Sequence, residues 1–200
     1  FALPFVVDTP SDLREVTLAD VHEDGVPDLL ATSWDGAAAP RSSVVSVALG
    51  DGGGGFADPV AYLAAPGLQG PSAPLGVADI DGYGRVDLYG AFANSPDVYV
   101  LPGHGDGSFG PPIVSPSGVR QVATVIAEDF DGDGHLDLVT KSTVVFGDGA
   151  GHFVEPHGIV GGGTVVTADI DGNGQPDVLA ALGHRLNVLL NHLDGARDHD

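Results

Sequence analysis

The chain has 200 residues, 42% of them hydrophobic, with 31 Gly and 15 Pro and neither Cys nor Met. That is enough apolar material for one domain with its own core, and the Gly and Pro content suits an all-β chain with many turns. Its 28 acidic against 7 basic residues set a formal charge of −21, which repels nucleic-acid backbones and anionic membranes.

No apolar run approaches the ~18–20 residues of a membrane-spanning helix, so no membrane insertion is expected. Without Cys there is no disulfide framework. With neither an initiating Met nor a secretory leader, the chain reads as a processed or trimmed product.

In chain order, the same succession recurs four times, over 1–55, 56–108, 109–152 and 153–200. Each unit opens on Phe-x-x-Pro: Phe1 to Pro4, Phe56 to Pro59, Phe109 to Pro112 and Phe153 to Pro156. Next comes a short apolar run (15–19, 75–78, 124–127, 164–168), then an acidic loop, then a second run (29–32, 88–91, 138–140, 178–181). A third run (44–49, 98–101, 144–146, 187–190) leads into a Gly/Asp turn, and in the first three units that turn leads to the next Phe. The runs are short, often β-branched and bounded by Gly, Asp and Pro, so they read as strands. A repeat of a few tens of residues with four strand candidates matches one blade of a propeller.

The acidic loops carry the chemistry. The third reads Asp129-Phe-Asp131-Gly-Asp133-Gly-His135-Leu-Asp137 and the fourth Asp169-Ile-Asp171-Gly-Asn173-Gly-Gln175-Pro-Asp177. The second reads Asp79-Ile-Asp81-Gly-Tyr83-Gly-Arg85-Val-Asp87, and the first Asp20-Val-His22-Glu-Asp24-Gly-Val-Pro-Asp28. Oxygen-bearing side chains at alternate positions, with Gly at position 6, suit Ca²⁺, which takes six to eight oxygens at about 2.3–2.6 Å. Position 7 (Arg85, His135, Gln175) is counted with positions 1, 3, 5 and 9 in the expected ligand sets. An EF-hand would need Glu at position 12, where Ala31, Gly90, Thr140 and Ala180 stand instead. The loops therefore read as strand-loop-strand calcium turns. The first is the weakest: Asp20, Asp24 and Asp28 remain, but His22 replaces a carboxylate, and imidazole suits Ca²⁺ poorly.

The Phe-x-x-Pro, D-x-D-x-[DN]-G-x-x-D and Gly-Asp-Gly motifs together resemble the FG-GAP/VCBS repeats of the integrin α-chain propeller and of many secreted bacterial propellers. The resemblance runs over essentially the whole chain. It implies that the loop joins the innermost strand of a blade to the second strand, and that the Phe-x-x-Pro segments are outer strands. The phase then places Phe1 where the last turn leads, so the N-terminal outer strand is expected to complete the C-terminal blade. Four repeats can close as one ring, or two chains can exchange outer strands in a larger one; the familiar ring has seven blades.

Ion binding coupled to folding points to an extracellular, secreted setting, where weak sites of ~10⁻⁴–10⁻³ M are filled. The expected function is that of a binding module for glycans or cell-surface proteins. A structural unit of a larger assembly (a homo-oligomer) and an enzyme at the channel mouth stand as alternatives. No catalytic set or phosphate cradle is legible; His104, His152 and His192 recur in equivalent turns, as repeat copying produces. Trp34 is read either as packing between blades or, with Tyr89 and Phe92 on the corresponding strand of the next repeat, as an aromatic platform for a sugar.

Overall fold

The computed structural model describes residues 13–34, 43–65, 72–92, 95–118, 124–159 and 163–192. They form only β-structure, in four antiparallel sheets. The first contains β1 (Leu13–Ala19), β2 (Asp28–Trp34), β3 (Ser43–Ala48) and β4 (Val60–Ala65), in that spatial order. The second contains β5 (Ser72–Ala78), β6 (Asp87–Phe92), β7 (Asp97–Leu101) and β8 (Ile113–Pro116). The third contains β9 (Val125–Glu128), β10 (Asp137–Thr140), β11 (Thr143–Gly147) and β12 (Phe153–Gly158). The fourth has β13 (Val165–Ala168), β14 (Asp177–Leu182) and β15 (Arg185–Leu189). No helix is long and apolar enough to cross a membrane among the described residues.

Each sheet is a meander, and in the first three the outer strand comes from the start of the next repeat. Closure by Phe1 to Val7 lies outside the described residues. The outer strands also begin later than the Phe-x-x-Pro motif suggests. Phe56 and Phe109 make only isolated bridges, to Gly50 and Gly103, and β4 and β8 start one residue past the Pro. Proline has no N–H for a ladder. In β12 the strand does run through Pro156, and there the pairing with β11 shifts register between Val144 and Phe146.

The sheets stack face to face, and strand alternation decides which side chain meets which neighbour. The residue after the closing Asp of each loop faces the preceding sheet, and the next residue faces the following one. Thus Leu30 packs with Leu88 in the core between sheets 1 and 2, with Tyr99, Phe92 and Phe109. Tyr89 packs with Leu138 between sheets 2 and 3, with Phe153 beneath them. Val139 packs with Val178 between sheets 3 and 4, with Phe130 and Phe146. Among the described residues three small cores, one between each pair of neighbouring sheets, hold the array together. The loops and the closing turns therefore lie at sheet ends, where the stacking leaves them open.

Candidate metal loops and an inter-sheet pocket

Each loop folds around its own carboxylates. The closing residues Asp28, Asp87, Asp137 and Asp177 have no exposed surface. One oxygen of each accepts the N–H of position 2, from Val21, Ile80, Phe130 and Ile170, at 2.8 Å in every loop. The other accepts an N–H from the turn after the third strand: Gly50 at 2.8 Å, Gly103 at 2.7 Å, Gly147 at 2.8 Å and Asn191 at 2.6 Å. One carboxylate thus ties the loop to the turn that follows the third strand, at the same end of its own sheet. The backbones cross so closely there that a Cβ on Gly103 would stand 2.0 Å from the Val86 carbonyl oxygen. Asn191 occupies the equivalent place in sheet 4 and donates its side-chain amide to the carbonyls of Phe130 and Pro176.

The first Asp of each loop gathers the amides of the turn. Asp129 accepts from Gly132 at 2.7 Å and Gly134 at 3.0 Å, and Asp169 accepts from Gly172 and Gly174 at the same two distances. That wrap needs positive φ at positions 4 and 6, as at Gly132 (76°) and Gly134 (91°). Position 4 in the first loop is Glu23 at φ 58°, the sole non-glycine with positive φ among the described residues.

Positions 1, 3 and 9 come together. In the second, third and fourth loops one oxygen from each carboxylate lies within 4.8 Å of the others: Asp79, Asp81 and Asp87; Asp129, Asp131 and Asp137; Asp169, Asp171 and Asp177. Among the position-5 residues, Asp133 is not one of these three carboxylates, while the Asn173 amide nitrogen lies 3.5 Å from Asp171. Asp133 instead accepts the amide of His135 at 2.8 Å, and Asn173 that of Gln175 at 2.8 Å. Tyr83 is exposed, and His135 at position 7 of the third loop is not among the converging groups. Burial pushes the Asp137 carboxyl up to about 6, with Asp131 and Asp133 adding like charge, although two N–H donors pull it down. Burial raises Asp87 as well. Asp177 is held below the usual carboxylate range, chiefly by the Asn191 amide. One oxygen of Asp79 is buried with no hydrogen-bond partner among the described residues.

The first loop is built differently. His22 Nδ1 lies 2.8 Å from Asp28 and 3.7 Å from Asp20, and its Nε2 lies 2.8 Å from Asp24. The hydrogen bond to Asp28, then the charges of Asp28 and Asp24, raise the imidazole above its ordinary value against a lowering by burial.

Two of the three aromatics considered from sequence as a sugar platform are closed to a ligand. Tyr89 and Phe92 are buried between sheets, because β6 is covered on both faces. The side chain of Trp34 lies outside the described residues. An aromatic beside polar groups occurs instead at Tyr62. It lines a pocket of about 250 Å³ between sheets 1 and 2, with Val47, Leu49, Asp58, Asp106 and Ser108. Its ring meets Phe109 edge-on at 5.4 Å, and its hydroxyl reaches the Gly107 carbonyl at 3.5 Å. Burial, then the Asp106 charge, raises the phenol. Asp106 accepts the Ser108 amide at 2.9 Å and its hydroxyl at 2.5 Å, and is held below the usual range. Composition hinted at none of this, since the pocket exists only where two sheets meet.

Repeated strand-loop-strand turns on a stack of four-stranded sheets define a β-propeller-type repeat protein. Residues 79–140 match the FG-GAP-like repeat model. No curated protein matches its sequence. Among solved structures, it is similar to an Agrocybe aegerita lectin described for specific recognition of non-reducing terminal N-acetylglucosamine. The TM-score is 0.64 and the identity 23%, over 90% of this chain and 50% of that one. It is also similar to the Photorhabdus luminescens Tc holotoxin pore with the TccC3-D651A mutation. Here the TM-score is 0.53 and the identity 22%, over 90% of this chain and 9% of that one. At these identities the likeness is one of fold. The chain spans about half the length of the lectin and a small part of the toxin chain.

Proposed function

We propose that the chain is a calcium-stabilised, extracellular β-propeller binding module that recognises glycans, free or on cell-surface proteins, in the pocket between sheets 1 and 2. The pocket beside Tyr62 carries the reading. A half-buried phenol ring offers a face to sugar C–H groups, while Asp58, Asp106 and Ser108 supply acceptors and a hydroxyl for sugar O–H groups. Its volume of about 250 Å³ suits one sugar residue better than a larger ligand. The lectin of shared fold supports the ligand class, and terminal N-acetylglucosamine is the first sugar to test.

Calcium supports the scaffold in this reading. Positions 1, 3 and 9 of the second, third and fourth loops would hold the ion, with further oxygens from the turn and from water. The unpartnered buried oxygen of Asp79 and the raised Asp137 both favour a counter-charge at these clusters. A bound Ca²⁺ supplies that charge and does no chemistry. Weak calcium sites fill outside the cell, which supports the extracellular setting.

The test is calorimetric titration of a chitobiose-type oligosaccharide in millimolar calcium, preceded by a glycan array. Binding should fall at least tenfold in Tyr62→Ala with the melting temperature little changed. A Tyr62→Ala protein that keeps full affinity, or an array without any hit, refutes the assignment.

A further inference from the structure

We infer that the His22 side chain takes the place of the metal ion in the first loop, so that a chain with four loops of one design holds ions in three. The inference rests on the calcium reading of the other loops and adds a residue that decides which loop is excluded.

Positions 1, 3 and 9 converge in all four loops, and in the first loop the converging groups are Asp20, His22 and Asp28. In the other loops the position-3 group is a carboxylate, Asp81, Asp131 or Asp171, and so an acceptor. In the first loop the imidazole stands inside the cluster as a donor. Its two nitrogens each lie 2.8 Å from a carboxylate oxygen, of Asp28 on one side and Asp24 on the other. Ionised carboxylates only accept hydrogen bonds, so an N–H is directed at each.

The same contact recruits position 5. Asp24 keeps the amide of Val26 at 2.7 Å on one oxygen and turns the other to His22. Asp133, at the same position of the third loop, accepts the equivalent amide, that of His135, at 2.8 Å and is not among the converging carboxylates. The oxygens a metal would use are therefore engaged by the ring, and the ring is a poor ligand for a hard ion. Admitting Ca²⁺ would require the ring, whose side chain is 17% exposed, to leave and break both contacts. The first loop is thus pinned by a covalently attached group, and its fold does not depend on the ion concentration.

Two measurements of bound calcium by elemental analysis and calorimetry test this. The wild-type chain should bind three ions. His22→Asp, which restores the D-x-D-x-D pattern, should bind four. As a check independent of that variant, Asp20→Asn should still bind three, whereas Asp131→Asn should bind two. Four ions in the wild type, or a drop from three to two in Asp20→Asn, overturns the inference while leaving the calcium reading intact. No bound calcium in any variant overturns both.

Discussion

Replacing Asp137 by Ala isolates the strongest structural contact of the third loop. The carboxylate is fully buried and accepts two amides, from Phe130 and Gly147, each at 2.8 Å. The Phe130 amide is buried, so losing its acceptor costs about 1–3 kcal/mol. The Gly147 amide is partly buried, so water recovers some of its bond, and its loss costs about 1 kcal/mol. The sum is about 2–4 kcal/mol, a large fraction of the roughly 5–15 kcal/mol that stabilises a domain. The measurement is urea unfolding followed by circular dichroism, with EDTA present so that no metal enters the comparison. Asp133→Ala is the control: its carboxylate is exposed, and removing it should cost less than about 1 kcal/mol in EDTA. A loss below about 1 kcal/mol for Asp137→Ala, or equal losses for the two variants, refutes the reasoning that the closing Asp acts first as a backbone clasp.

Two further outcomes follow from the same geometry. EDTA should lower the melting temperature by many degrees, and Ca²⁺ should restore it better than Mg²⁺, whose octahedron closes at about 2.0–2.1 Å; an unchanged melting curve in a thermal scan contradicts the metal reading. The outer faces of the terminal sheets expose Val16 and Leu18 at one end and Val166, Leu186 and Val188 at the other. Apolar sheet faces of this kind favour self-association, so light scattering should give a mass that rises with concentration and falls in the double variant Leu186→Lys, Val188→Lys. A constant monomer mass for the parent chain contradicts it.

The acidic loops and the strands beside them were legible because their information is local. Nine residues contain the whole turn, and the alternation of Leu88 and Tyr89 or of Leu138 and Val139 marks two opposite faces. The departure of the first loop from the pattern was visible too, as His22 at position 3. Alternation does not say which face is covered, however, and Tyr89 and Phe92 were expected as a sugar platform on a face that the next sheet buries. Nor does it show how a loop is held. The partner of Asp87 is the amide of Gly103, 16 residues away, and that of Asp177 is the amide of Asn191, 14 away.

By itself, then, the order of residues determined the repeat, its strands and the presence of carboxylates at fixed intervals, since these depend on spacing along one stretch of chain. Only the tertiary structure decided that position 9 clasps the turn after the third strand, that Asp133 is not among the converging carboxylates of the third loop, and that Tyr62 rather than Tyr89 meets the open pocket. Those outcomes are contacts between segments far apart in the chain, and the packing energy that selects them is shared by two faces at once.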